Sequence, residues 1–367
     1  MARPLSQQLL HYLVDWRDSP WPIDWESLFG RSAPLSLEIG FGNGAFLASQ
    51  ARSRPDRNHI GIELSWSAAT RLFQRLEKAQ VENARALLID AEAALQHLFL
   101  PESLTEVFAN HPCPWPKARH GERRLFASPF LDLLASRMRL GSRLTVVTDH
   151  AEYAQWLGEM LEGHPALTSC HPGIEAPEIP GRQPTKYQRK AMAEGIPIHY
   201  FEWTKQAEPE GLIVPAHRDQ VDGSGSRDAR TWHDSMPTIS LRGDYDRKLL
   251  LADFQPLTLR ETVDNIEIAV RLSGAFRREE PPMWLVECFV SEGKLRQEFA
   301  IMVIERKANE LFLKLSGLGR PHPTFGVKLA IAGLGRVLME SDPKLTIVHE
   351  NLGAEALATA CKSEVPC

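Results

Sequence analysis

The chain has 367 residues, 43% hydrophobic and 24% charged, with a formal net charge of −5. That length suits two domains, and the composition is that of a globular protein rather than a fibrous or disordered one. No apolar run reaches the roughly 18 residues needed to cross a bilayer. Residues Met1–Gln8 hold no apolar signal core, and the five cysteines (113, 170, 288, 361 and 367) form no CxxC pair. A membrane span, a secretory leader, a disulfide framework and a zinc ribbon are therefore disfavoured, and a cytoplasmic protein without a bound metal is expected.

Taken in chain order, residues 1–33 read as a helical, tryptophan-containing leader, with Leu9, Leu10, Leu13 and Trp16 at helical spacing. From residue 34 short apolar runs alternate with amphipathic stretches. Strands are expected at 35–39, 59–64, 84–89, 104–109, 143–148, 166–171 and 196–203. Helices are expected at 45–52, 67–80, 91–98, 128–139, 151–162 and 184–194. Such alternation implies an α/β domain over 34–204 with a mostly parallel sheet. Residues 205–240, with Pro209, Pro215 and the Gly223–Ser226 run, read as a linker. From 241 to 367 a smaller α+β domain follows, with strands near 284–290, 299–306, 310–316 and 345–349 and a helix over 326–340. No internal repeat is present.

The most informative stretch is Leu35–Leu47, where an apolar strand runs into Gly40, Gly42 and Gly44 and then into a helix. Glycines at such a turn permit positive φ and close approach of a ligand. A dinucleotide site has the spacing GxGxxG, with pyrophosphate at the helix N-terminus. Here the spacing is GxGxG, preceded by Glu38. An acid at that place is ill-suited to pyrophosphate and suits the positively charged methionine end of S-adenosyl-L-methionine. Glu63, ending the second strand, is placed to accept from both ribose hydroxyls. Asp90, ending the third, faces the adenine amino group, and Asn110 ends the fourth beside the same cofactor. Taken singly, Glu63 and Asp90 have a structural alternative as helix N-caps.

After the fourth strand comes Asn110-His111-Pro112-Cys113-Pro114-Trp115-Pro116-Lys117-Ala118-Arg119-His120-Gly121-Glu122-Arg123-Arg124-Leu125. In an open α/β sheet this loop lies beyond the strand carboxyl ends, where the ligand sits. Its prolines stiffen it, its tryptophan offers a stacking face, and Lys117, Arg119, Arg123 and Arg124 can hold phosphates. Between Lys117 and Arg143 there are seven basic side chains against two acidic ones. A rigid cover over the core, with a solvated basic face, is the plainer alternative.

These motifs resemble the bacterial tRNA (guanine-N7-)-methyltransferases. That family carries a Pro-Asp-Pro-Trp-Pro-Lys loop followed by Arg-His and Arg-Arg-Leu, a Thr-Asp pair after the fifth strand, and a later Thr-Lys-(Phe/Tyr)-Glu motif. The chain matches with Pro112, Pro114–Lys117, Arg119-His120, Arg123–Leu125, Thr148-Asp149 with Tyr153 following, and Thr185–Gln188. The resemblance covers about residues 35–203. It implies a Rossmann-like seven-stranded S-adenosyl-L-methionine-dependent methyltransferase fold, with tRNA as partner and a guanosine of the variable loop as target. It places Asp149 and the residue at 113 on the catalytic side, and Lys117, Arg119, Arg123, Arg124, Asp149, Thr185 and residue 188 on the substrate. Two positions depart from the family: Cys113 stands where it has aspartate, and Gln188 where it has glutamate. Both changes remove negative charge from the substrate side. A tRNA-binding relative with weakened turnover, or a different target base, therefore stays open, as does the choice between monomer and homodimer.

Overall fold

The computed structural model describes residues 4–115, 124–179, 182–209, 236–263, 265–307 and 309–362. It divides into two compact units, residues 1–222 and 223–367.

The first unit holds a seven-stranded sheet: β1 (Leu35–Ile39), β2 (Asn58–Glu63), β3 (Ala84–Leu88), β4 (Leu104–Asn110), β5 (Met138–Thr148), β6 (Leu167–Ser169) and β7 (His199–Lys205), in the order β3-β2-β1-β4-β5-β7-β6. Strands β1 to β5 pair in parallel, and β7 is antiparallel to both β5 and β6. This is the expected mostly parallel α/β sheet. Its strands are legible because both faces are covered: Leu37, Ile60, Leu87, Val107 and Val146 are all fully buried. Each such side chain contributes about 2 kcal/mol by leaving water. The connecting helices are α3 (Ala45–Ser53), α4 (Trp66–Lys78), α5 (Ala91–His97), α6 (Ser128–Arg137), α7 (Ala151–Glu162) and α8 (Lys186–Ala193). Chain order reverses at β1, which lies between β2 and β4, the kind of switch point beyond whose strand carboxyl ends open α/β sheets bind ligands.

The leader departs from a single helix. Helix α1 spans only Leu5–Tyr12 and α2 only Trp25–Phe29. Leu13 instead forms a parallel bridge with Ala86 of β3. Trp16, Trp21 and Trp25 are buried, while Leu10 is 88% exposed. The spacing that suggested one helical face is supplied by indole packing: Trp16 Nε1 donates to the Leu88 carbonyl at 3.1 Å, and Trp25 stacks on Phe99.

The second unit is one antiparallel sheet of seven strands: β8 (Thr238–Arg242), β9 (Leu257–Val263), β10 (Ile266–Arg278), β11 (Met283–Glu292), β12 (Leu295–Lys307), β13 (Glu310–Leu315) and β14 (Thr346–Glu350). Their order is β14-β8-β13-β12-β11-β10-β9. Helix α9 (Phe325–Ser341) buries Val327, Ala330, Leu334 and Leu338 in a core with the inward residues of the sheet, such as Leu259, Val270 and Val286. A last helix, α10, spans Ala354–Lys362. The α+β class is as expected, but β8, β9, β10 and α10 were not anticipated from the sequence. Most of the expected linker, residues 210–235, lies outside the described residues.

Candidate active site

Strand β1 delivers Glu38 into the core, 2% exposed. The chain then turns through Gly40 (φ 71°), Gly42 (φ 54°) and Gly44 (φ 72°), the last being the N-cap of α3. The three glycines do different things. A Cβ at position 44 would stand 2.6 Å from Leu72 Cδ1 and 2.8 Å from its Cα, so that glycine is demanded by the packing of α3 on α4. A Cβ at 40 or 42 would meet nothing within 4 Å, so those two leave an open cradle above the strand ends. Glu63 ties this turn to the next one. Its Oε2 accepts from the Gly42 N–H at 3.0 Å, and its Oε1 accepts from the N–H groups of Leu64 at 2.9 Å and Ser65 at 3.3 Å. The cap of α4 is Ser65, so Glu63 is not spent as an N-cap. Asp90 does cap α5, accepting from Glu92 and Ala93, both through Oδ1.

The cradle is tested by Glu38. Its Oε1 accepts from Asn110 Nδ2 at 2.8 Å, while its Oε2 is buried and, among the described residues, makes no well-formed hydrogen bond, the Leu47 N–H being the nearby backbone donor. Burial pushes this carboxyl up to about 8, against the Asn110 hydrogen bond and the nearby Arg182 charge, which pull it down. An orphaned acceptor beside an open glycine cradle fits a ligand that carries an ammonium group, as the amino-acid end of S-adenosyl-L-methionine does.

From Asn110 a chain of side chains runs toward α8. Arg182 donates to Asn110 Oδ1 and, through Nη1 at 2.7 Å, to Gln188 Oε1; Gln188 Nε2 donates to the Tyr200 hydroxyl at 2.7 Å. The Arg182 guanidinium also lies 4.9 Å over the Phe46 ring. Gln188 is 4% exposed, with both ends of its amide engaged. Thr185 caps α8, its Oγ1 accepting from the Gln188 N–H at 3.1 Å. Both residues expected on the substrate are thus bound to the protein itself, as a cap and as a buried bridge. Sequence reading missed Arg182. Its only signal was a lone arginine ahead of Pro184 and the Thr185 motif.

Beside this chain, His111 follows Asn110 with φ 51°. Its N–H donates to the Val147 carbonyl at 2.7 Å, and its Nδ1 lies 3.2 Å from Asp149 Oδ1. Among the described residues its Nε2 is buried without a partner, and its ring centre is 5.9 Å from that of Tyr187, an exposed residue of α8. Burial holds His111 below the ordinary imidazole range, opposed by its hydrogen bond to Asp149. Cys113 is exposed, and its thiol makes no hydrogen bond among the described residues. Arg124 donates from Nε to the Pro114 carbonyl at 3.1 Å and stacks 4.9 Å over Trp156, fastening the loop to α7. Lys117, Arg119 and Arg123 lie outside the described residues.

A family model with the description "Putative methyltransferase" matches residues 32–201. A tRNA (guanine-N(7)-)-methyltransferase of Cutibacterium acnes is 37% identical over 185 residues, covering 50% of this chain and 67% of that protein. One from Halorhodospira halophila is 37% identical over 178 residues, covering 48% and 77%. One from Rhodococcus jostii is 40% identical over 198 residues, covering 51% and 76%. The chain belongs to the tRNA (guanine-N7-)-methyltransferase family. The family match falls on the first unit, and the β8–β14 sheet lies beyond it. Cys113, after β4, and Gln188, on α8, both lie toward the β4–α8 end of the site. The glycine turn and Glu63 are joined by the hydrogen bond from the Gly42 N–H, with open space above Gly40 and Gly42.

Proposed function

We propose that the chain is an S-adenosyl-L-methionine-dependent methyltransferase acting on N7 of a guanine in the tRNA variable loop. Its sequence identity to curated enzymes of that name carries the reading, and the grouping of Glu38, Gly42, Glu63 and Asn110 at the strand ends supports it. S-adenosyl-L-methionine supplies an electrophilic methyl group on a sulfonium sulfur. Guanine N7 has a free lone pair, so the protein needs no base to activate it. The task of the side chains is to align nucleophile and methyl and to exclude water. Glu38 is assigned to the ammonium, Glu63 to the ribose hydroxyls, and Asp90 to the adenine, with Gly40 and Gly42 giving the ligand room. Asp149, the loop around Cys113, and Lys117, Arg119, Arg123 and Arg124 are assigned to the RNA side. The domain needed for transfer is proposed as residues 34–204; the linker expected over 205–240 is cut short by β7, which runs to Lys205, and by β8, which starts at Thr238. The compartment is the cytoplasm, where tRNA is modified.

The deciding experiment is incubation of the full chain with bulk tRNA and S-adenosyl-L-methionine, followed by nuclease digestion and mass analysis of nucleosides. N7-methylguanosine is the expected product. A methylated adenosine, or an exocyclic N-methyl product, would replace the target. Cofactor binding with no methylated nucleoside would leave a tRNA-binding relative.

A further inference from the structure

We propose that His111 reads the target base: its Nε2 accepts the N1–H of the guanine being methylated, with Asp149 holding the imidazole in the tautomer that leaves Nε2 bare. The proposal rests on the tRNA guanine reading above and deepens it. Three observations lead to it. First, the Asp149 carboxylate, 3.2 Å from Nδ1, accepts a hydrogen bond and offers none. Nδ1 therefore carries the proton, and Nε2 presents a lone pair. Second, among the described residues that lone pair is buried and unpartnered in a side chain only 8% exposed, just past the carboxyl end of β4. A buried acceptor without a donor is costly to the folded protein and marks a place where a donor arrives. Third, the two positions where the family has carboxylates do not supply an acceptor here. Cys113 offers a weak thiol, and Gln188 has its amide oxygen on Arg182 and its amide nitrogen on Tyr200. The Tyr187 ring, exposed and 5.9 Å from the imidazole, is the neighbour that can shift to admit the base and stack on it.

This arrangement selects guanine over adenine by polarity. Guanine N1 bears a hydrogen and suits an acceptor, whereas adenine N1 is itself an acceptor and would face a second lone pair. The same logic gives a pH dependence. The groups facing the imidazole are Asp149 at the end of β5, Arg182 ahead of α8, and Tyr187 on α8. Burial and the Arg182 charge favour the neutral ring, and Asp149 opposes them. The acid limb thus lies below the ordinary histidine value of about 6.5. Under that limb Nε2 gains a proton and repels the N1–H.

The test is single-turnover methylation of one tRNA transcript from about pH 5 to about pH 9, at saturating S-adenosyl-L-methionine so that protonation of Glu38 does not enter. Wild type should lose kcat/KM for tRNA on the acid side. His111→Leu should fall by roughly 10- to 100-fold near neutrality and lose the acid limb, with cofactor affinity by calorimetry unchanged. His111→Asn should retain part of the rate, because an amide oxygen can accept. Adding Cys113→Asp to His111→Leu should recover rate without restoring the limb. A folded His111→Leu protein that methylates at the wild-type rate, or that keeps the limb, overturns the assignment and leaves the tRNA reading intact. A wild type that makes no N7-methylguanosine removes both.

Discussion

The β1–α3 end of the site and the β4–α8 end are built from different materials. At the first, backbone geometry does the shaping: three positive-φ glycines, with N–H groups of Gly42, Leu64 and Ser65 gathered on one carboxylate. At the second, a relay of side chains from Glu38 through Asn110, Arg182 and Gln188 to Tyr200 does it. A backbone cradle tolerates few substitutions, because the constraint falls on φ and on a missing Cβ. A side-chain relay can exchange members if donors and acceptors still alternate. Gln188, the departure that lies within the relay, keeps the alternation, accepting from Arg182 and donating to Tyr200.

The contrast can be broken first at Gly44. Gly44→Ala forces a Cβ against Leu72 at a positive φ, and we expect a loss of about 3 kcal/mol in urea unfolding, from left-handed strain plus overpacking. An unchanged midpoint would mean that α3 and α4 are not packed as described. Gly40→Ala has room for its Cβ but keeps a φ of 71°, so it should lose only the strain part, about 1–2 kcal/mol, and weaken cofactor affinity besides. Glu63→Ala comes next. Losing charge-assisted bonds to ribose should weaken S-adenosyl-L-methionine by about 1–3 kcal/mol, read by calorimetry.

Glu38 sharpens the comparison, because it joins the two ends. Its carboxyl titrates at about 8 against an ordinary 4.5, so between those values the folded protein holds a proton that the unfolded chain has released. This group's contribution to stability is full below pH 4.5 and is lost as pH rises through about 8. The urea midpoint of the ligand-free protein should therefore fall over that range, and Glu38→Gln should flatten the fall. An arriving ammonium favours the carboxylate, so cofactor binding near pH 7 should release up to about one proton. Calorimetry in buffers of different ionisation enthalpy measures it, and zero release would argue against an ammonium at Glu38.

Smaller effects belong to the RNA side. Neutralising Lys117 and Arg119 together should flatten the log–log salt dependence of tRNA binding by about 1.4, at about 0.7 per single-strand phosphate. An unaltered slope would make them ordinary surface. Gln188→Glu should shift stability by less than about 1 kcal/mol, since a carboxylate can accept from both Arg182 and the Tyr200 hydroxyl. A large loss would show that the Tyr200 contact needs an amide donor.

The legible parts of the molecule are those where one residue type is forced by local geometry. Strands β1 to β5 read as apolar runs because a parallel sheet is covered on both faces, and Gly44 is dictated by Leu72 two elements away. Strands β9 and β10 went unread although their alternation is present. Leu257, Leu259, Ile268, Val270 and Leu272 point inward while Thr258, Arg260, Glu267 and Arg271 are exposed, and interleaved charge hid the period. Arg182 and His111 were beyond sequence reading for another reason. Each takes its meaning from a partner on a different element, Gln188 with Asn110 in one case and Asp149 in the other.

The tryptophan leader also finishes the edge of the first sheet. Strand β3 ends the order of the first sheet, and a bare outer strand offers unpaired carbonyls and amides as a template on which another molecule can add a strand. Here the Val14 N–H occupies the Ala86 carbonyl at 2.9 Å and the Trp16 indole occupies that of Leu88 at 3.1 Å. The leader acts as a selvage, a finished border that stops the fabric from being extended. Stripping it away should leave the β1–α3 cradle in place and bare β3, read as a rise in light-scattering mass over the full chain.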